Sequence, residues 1–190
     1  MNNPGWALQA LPRHTDLTAY RVAVLPITVG IPVARSVREA FAAFITDLRS
    51  GGVTVSMAPP TLVTAFFPAG DRPVGTRPED TLLRQRARHA LSLLFKSWDV
   101  LLLPAACAPA PHREDAVVRQ DSHAAIINLD DLECGHPVTI FPIGLTNHWL
   151  PVAVQAIGPY LEDLTPIRFA ALVQEHFGGY HRPPGYSSVC

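Results

Sequence analysis

Several things are scarce in this sequence, and each shortage removes a class of function. Lysine occurs once, at Lys96, and the formal net charge is −1, so no basic field draws the chain to nucleic acid. The three cysteines, Cys107, Cys134 and Cys190, are widely spaced and form no C-x-x-C pair. That excludes a disulfide framework and points to a reducing, cytoplasmic compartment. No apolar run reaches 18 residues, which excludes a membrane-spanning helix. The opening MNNPGWALQALPRHT lacks a basic stretch followed by an apolar one, so no signal peptide is expected. There is no G-x-S-x-G elbow, no G-x-G-x-x-G, no phosphate-cradling G-x-x-x-x-G-K-[ST] and no H-E-x-x-H.

What is present describes an ordered globular chain: 48% hydrophobic and 16% charged residues favour a packed core over disorder. With 190 residues, one domain is the default. Nineteen prolines predict stiff or extended connections. Residues 1–19 read as a polar lead or linker, with Trp6, Leu8 and Leu11 as its apolar points. Tyr20–Ile27 is a strand by its β-branched run. Over Ala34–Ser50, Val37, Phe41, Phe44 and Leu48 recur on one helical face, and Gly51-Gly52 ends the helix. Val53–Met57 follows as a strand, making a strand–helix–strand crossover. Thr61–Pro78 is weakly patterned, with Phe66 and Phe67 as its core candidates. A helix over Glu79–Ser97 presents Leu83, Ala87, Ala90, Leu91 and Leu94, with Trp98 continuing the face. Asp99–Pro104 (DVLLLP) has the continuous apolarity of a strand covered on both sides. Ala105–Asp131 is the least legible part, relieved by an apolar patch at Ala124–Leu129.

Gly135–Asp163 reads GHPVTIFPIGLTNHWLPVAVQAIGPYLED. It predicts strands at Val138–Phe141 and Val152–Ile157, bounded by Pro and Gly. Gln155, inside the second run, needs a hydrogen-bond partner if buried. A last helix starts with Thr165 as cap and Pro166 at the first helical position, with Ile167, Ala170, Ala171 and Phe177 facing inward. The order of elements gives an α/β fold, helices packed on a largely parallel or mixed sheet.

The chemistry-bearing residues do not assemble into a catalytic set by spacing. Ser187-Ser188 lies near the terminus, a poor place to hold an activating base. Lys96 ends a helix, where a cation faces the favourable pole. Cys107 follows a strand end, a position used by active sites in α/β folds, but no electropositive neighbours are encoded to make a thiolate. Cys134, His136, His123 and His148 form the densest group of metal-ligand types, without the spacing of a zinc site. Arg84, Arg86, Arg88 and His89 read as the solvated face of a helix.

Four stretches resemble the C-terminal part of the amidase signature family, hydrolases that use a Ser–cis-Ser–Lys triad. They are YRVAVLP with its following helix, WDVLLLPAACAPAP, the Gly135–Asp163 stretch, and RFAALVQEHFGGYHRPPGY; the lead GWALQALPRHTDL resembles the segment joining the family's two halves. The third stretch is the specific one, similar to a family pattern G.Pa.tvPiGlt.dGLPvgvQ.iGp..eD. The resemblance implies the amidase α/β/α fold with a mixed sheet, and carbon–nitrogen amide hydrolysis in the parent enzymes. The triad belongs to the family's N-terminal half, in a Gly/Ser-rich stretch that this sequence does not contain, so no catalytic, cofactor-binding or metal-binding residue is assigned. Trp149 stands where the family's turn has glycine, and a bulky residue does not adopt positive φ cheaply. Thr61–Glu79 and Val117–Glu133 are shorter than their family counterparts.

The expectation is a lead at 1–19 and a partial amidase-type domain at 20–190. It is a C-terminal portion not catalytic alone, needing no cofactor, and partnered by a complementary N-terminal half or by itself. The alternative is a non-enzymatic binding or interaction module, with ligand held between strand ends around Pro104, Pro142 and Gly144. A third reading makes Cys107 or Ser187-Ser188 the nucleophile of an independent hydrolase.

Overall fold

The computed structural model describes residues 10–26, 33–62, 81–111 and 135–182. Phe66, Phe67, His112, His123, the patch at Ala124–Leu129, Cys134 and the Ser187-Ser188 pair lie outside these residues. The elements are β1 (Arg21–Val24), α1 (Arg35–Ser50), β2 (Thr54–Met57), α2 (Thr81–Leu94), β3 (Val100–Pro104), β4 (Val138–Leu145), β5 (Pro151–Ile157) and α3 (Leu164–Phe177). A 3-10 turn, Leu17–Ala19, precedes them.

Among the described residues the strands form one mixed sheet in the order β2-β1-β3-β5-β4. β1 runs parallel to both β2 and β3; β5 runs antiparallel to β3 and to β4. Side chains alternate between the two faces with the strand period. Ala23, Leu101, Leu103 and Ile157 meet Ala87, Leu91 and Leu94 of α2 on one face. Val22, Val24, Leu102, Phe141, Val154 and Ala156 meet Phe41, Phe44 and Leu48 of α1 and Phe169, Leu172 and Val173 of α3 on the other. Three layers result, and β3, buried along its whole length, runs through the middle as its unbroken apolar run requires.

Local chemistry sets the ends of these elements. At the end of α1, Gly52 takes φ 84, its N–H donates to the Arg49 carbonyl, and the Val53 N–H donates to Leu48. This is a Schellman closure, and it turns the chain directly into β2.

Four expectations need correction. First, α2 ends at Leu94, and Phe95–Ser97 form a turn. Second, β4 does not stop at Pro142 but runs through it to Leu145, with a register shift between Pro142 and Gly144. Proline is tolerated there because β4 is an edge strand and the irregularity removes the need for its missing N–H. Third, Asp163, not Thr165, occupies the position before α3, and neither caps it by its side chain; the Thr165 hydroxyl instead donates to Glu162 and accepts from the Arg13 N–H. Pro166 is then the third helical residue, still within the first turn whose N–H groups have no intrahelical partner. Fourth, Ile167 (51% exposed) and Phe177 face outward, and the buried stripe of α3 is Thr165, Pro166, Phe169, Ala170, Leu172 and Val173.

Candidate functional site

The space outside the carboxyl ends of the strands is the usual ligand position in open α/β sheets, and after Pro104 the chain leaves β3 at that end. A cavity of about 310 Å³ lies there, lined by Val37 of α1, Ala105, Ala106 and Ala108 after β3, and Val152 and Ala153 of β5. The Ala34 N–H donates to the Cys107 carbonyl at 2.7 Å, tying the start of α1 to the wall of the cavity. Gln155 is buried and its amide donates to the Pro104 carbonyl at 3.3 Å, which answers the hydrogen-bond requirement read from the sequence. Pro104 thus adjoins the cavity, whereas Pro142 and Gly144 sit on β4, beyond β5. The walls are apolar and suit a small uncharged group.

A second, wider depression of about 720 Å³ lies at the same end of the sheet. Arg35, Ser36, Glu39, Ala40 and Ala43 of α1 form one side, and Leu145, Thr146, Asn147 and His148 the other. The β4–β5 turn is closed by Thr146 N–H to Leu150 O at 2.8 Å and Trp149 N–H to Thr146 O at 2.9 Å. The Thr146 hydroxyl accepts from the His148 and Leu150 N–H groups. This closure forces Trp149 to φ 60, the conformation that the glycine of the family pattern suits. The left-handed region costs an L-residue roughly 1–2 kcal/mol, and Trp149 is left 71% exposed.

The other sequence candidates are dispersed. Cys107 is buried in the core under α2, and burial pushes its thiol pKa up, away from thiolate chemistry. Lys96 is exposed in the turn after α2, at the amino end of β3, while the cavity is at the carboxyl end, roughly 16 Å of strand away. Arg86, Arg88 and His89 are exposed along α2, and Arg84 is half-buried with its guanidinium 3.2 Å from the Thr81 hydroxyl. His136 Nδ1 donates to the Gly158 carbonyl at 3.0 Å. Its ring packs 5.4 Å from Phe95, and burial lowers its pKa, which favours the neutral imidazole. His136 and His148 flank opposite ends of the eight-residue β4 and cannot share an ion.

Sequence reasoning missed the main polar centre, at the amino ends of β1 and β3. The Asp99 side chain is 1% exposed. It accepts from the Arg21 N–H at 2.9 Å, from Arg21 Nε and Nη2 at 3.2 Å each, and from Arg13 Nη1 at 3.2 Å. His14 Nε2 stands 3.2 Å from Oδ2 but makes no hydrogen bond, being out of alignment. Burial alone would raise the Asp99 pKa; the hydrogen bonds from Arg21 and Arg13 outweigh it and hold the carboxyl below its ordinary value. Arg13 also grips Glu162 through Nε at 2.6 Å and Nη2 at 2.9 Å, and the Phe95 and Trp98 carbonyls through Nη1. The end of the lead is therefore clamped between β3 and α3. No spacing pattern signals a pairing 86 residues apart.

No family model and no curated protein sequence matches the chain. Solved structures do. One component of the glutamyl-tRNA(Gln) amidotransferase of Thermotoga maritima superposes with a TM-score of 0.61 at 20% identity, over 85% of this chain and 43% of that one. A bacterial aryl acylamidase of the amidase signature family superposes with 0.54 at 17% identity, over 82% and 43%. The chain carries part of the amidase signature fold. Allophanate hydrolase of Kluyveromyces lactis shares it at a TM-score of 0.62 and 16% identity, over 89% of this chain and 34% of that one. The chain thus spans less than half the length of each of these amidase-fold proteins. Among the described residues no helix is long and apolar enough to cross a membrane.

Proposed function

We propose that this chain is the C-terminal portion of an amidase-type hydrolase of carbon–nitrogen bonds and does not turn over amides by itself. The observation that carries the reading is the partial match, most of the chain against under half of each amidase-fold protein. It is supported by Lys96, the sole lysine, lying at the end of the sheet away from the cavity. The nucleophile, its cis-Ser partner and the lysine are supplied by a complementary portion. On the described residues β4 is the outer strand, with Ile140 63% exposed, and apart from the Pro142 carbonyl, which accepts from Gln174, it offers an edge against which another strand can pair. Residues 1–19 are the joining segment, and its clamp through Arg13 fits that role. The reducing environment inferred from the cysteines makes the cytoplasm its compartment.

The test is hydrolysis of simple amides by the purified chain, alone and with a complementary chain carrying a Ser-Ser-Lys set. No turnover alone and turnover with the complement are expected. Turnover by the chain alone, lost in Cys107→Ala or Ser188→Ala, sinks the proposal in favour of an independent hydrolase. The apolar cavity favours one second reading, a binding module without catalysis. Under it, a small uncharged ligand binds the lone chain and Val37→Trp, which fills the cavity, abolishes binding; an unchanged affinity in that variant removes this reading.

A further inference from the structure

The β4–β5 turn carries a cost that a glycine in it would avoid. Trp149 occupies a left-handed conformation that favours glycine, and the residue is 71% exposed. Strained backbone clusters at functional sites, and tryptophan is among the residues enriched as binding anchors. Directly beside it is a receptor of suitable size, the depression of about 720 Å³ between α1 and residues 145–148. A patch that holds a projecting group and a receiving groove side by side is what a twofold, isologous interface needs, because each copy must present both.

We propose that two copies of this chain pair about a twofold axis, each lodging Trp149 in the groove between α1 and the β4–β5 turn of the other. Charge is compatible with that contact. The rim of the groove holds Arg35 and Glu39, joined at 2.6 Å and both exposed, so the patch brings no net charge to its own copy. The two pairs can exchange partners across the axis. Ala40 and Ala43 keep the α1 side of the groove low enough for a ring, and Thr146 and Asn147 supply a polar margin of the kind that surrounds an apolar anchor. The pairing uses the carboxyl end of the sheet and leaves the outer edge of β4 open. It does not depend on the amidase reading.

The experiment is sedimentation equilibrium of the purified chain across a concentration series, with two variants and their mixture. Trp149→Gly removes the projecting group and suits the backbone; Ala43→Glu, on an exposed helix position, blocks the groove while leaving Trp149 in place. The unaltered chain is expected to form a closed dimer, and each variant to weaken it about tenfold or more, the loss typical of an anchor residue. An equimolar mixture of the two variants should associate more tightly than either alone, since one Trp149 then faces one open groove. Thermal unfolding of both variants, with the transition retained, shows that loss of pairing is not loss of fold. A chain that is monomeric throughout, or that grows into open-ended aggregates, overturns the proposal. So does a dimer that neither variant weakens, or a mixture no tighter than its parts.

Discussion

Replacing Asp99 tests whether the clamp at the amino ends of β1 and β3 is a principal source of stability. In Asp99→Ala the Arg21 N–H loses its acceptor in a partly buried position, which costs at most about 1–3 kcal/mol. The charge-assisted bonds from Arg13 and Arg21 also go, at roughly 1.5–3 kcal/mol for hydrogen bonds to a charged group. The guanidinium groups are not left stranded, however. Arg13 keeps Glu162 and two carbonyls, and the Arg21 side chain is 48% exposed and can take water. The full penalty of an uncompensated buried charge, about 3–5 kcal/mol, is therefore an upper bound, and a loss of about 3 kcal/mol is expected. Asp99→Asn keeps one oxygen for the Arg21 N–H and should lose about half as much. Urea unfolding at an unchanged slope reads both. The pH dependence gives a second, independent check. A carboxyl whose pKa is lower folded than unfolded contributes stability in full above the unfolded value, about 3.9, and loses it as the pH falls through the folded value. The unaltered protein should therefore lose more stability than Asp99→Asn as the pH drops below about 4. Equal acid profiles for the two proteins, or an alanine variant within about 0.5 kcal/mol of the parent, would refute the reasoning.

Three further outcomes follow from the same structure. Burial raises the Tyr20 phenol to a pKa of about 12, so the stability it secures is complete below the unfolded value near 10 and lost as the pH rises from there toward 12. Tyr20→Phe should flatten that alkaline loss while costing about 1 kcal/mol near neutrality, for the bonds to the His14 and Thr165 carbonyls. Trp149→Gly, measured by denaturant unfolding at low protein concentration, should stabilise the chain by about 0.5–1 kcal/mol, the strain relieved exceeding the entropy that glycine adds to the unfolded state. Leu102→Ala, in the middle of β3 and fully buried, should cost about 2–5 kcal/mol and leave a folded chain only if the rest of the core carries that margin.

Periodicity recovered the elements wherever burial is decided by neighbours in sequence. The Val37–Phe41–Phe44–Leu48 face of α1 and the unbroken run of β3 are buried as their patterns require. The apolar run of β5 is also buried, from Val154 to Ile157, with Gln155 finding Pro104. The same reasoning failed where a contact distant in sequence competes with a local preference. Thr165 reads as a helix cap, but its hydroxyl is drawn to Glu162 while the Arg13 N–H donates to it. Pro142 reads as a strand end, but at the sheet edge its missing N–H costs nothing and its carbonyl accepts from Gln174 at 3.1 Å. Ile167 reads as core by composition and is turned outward by the angle at which Phe169 and Val173 seat α3 on the sheet.

The site shows the same division more sharply. The cavity beyond β3 was legible only as a location, the strand ends near Pro104, because alanine and proline carry no chemical signature. The Asp99 clamp was not legible at all, since its partners come from a stretch read as linker and from the start of β1, and Arg13 is held in turn by Glu162 beyond β5. Trp149 was the reverse case: its departure from glycine could be read in the sequence, whereas its consequence could not. A bulky side chain at that turn had two physical outcomes, a rebuilt loop that avoids positive φ or a retained loop that bears the strain. The four hydrogen bonds of the turn, two backbone and two to the Thr146 hydroxyl, hold the second. Each is worth about 0.5–1.5 kcal/mol, together more than the roughly 1–2 kcal/mol of strain, so the turn keeps its shape and presents the indole to solvent. The feature that departs most from the amidase pattern is thereby fixed in space, where a partner surface can use it.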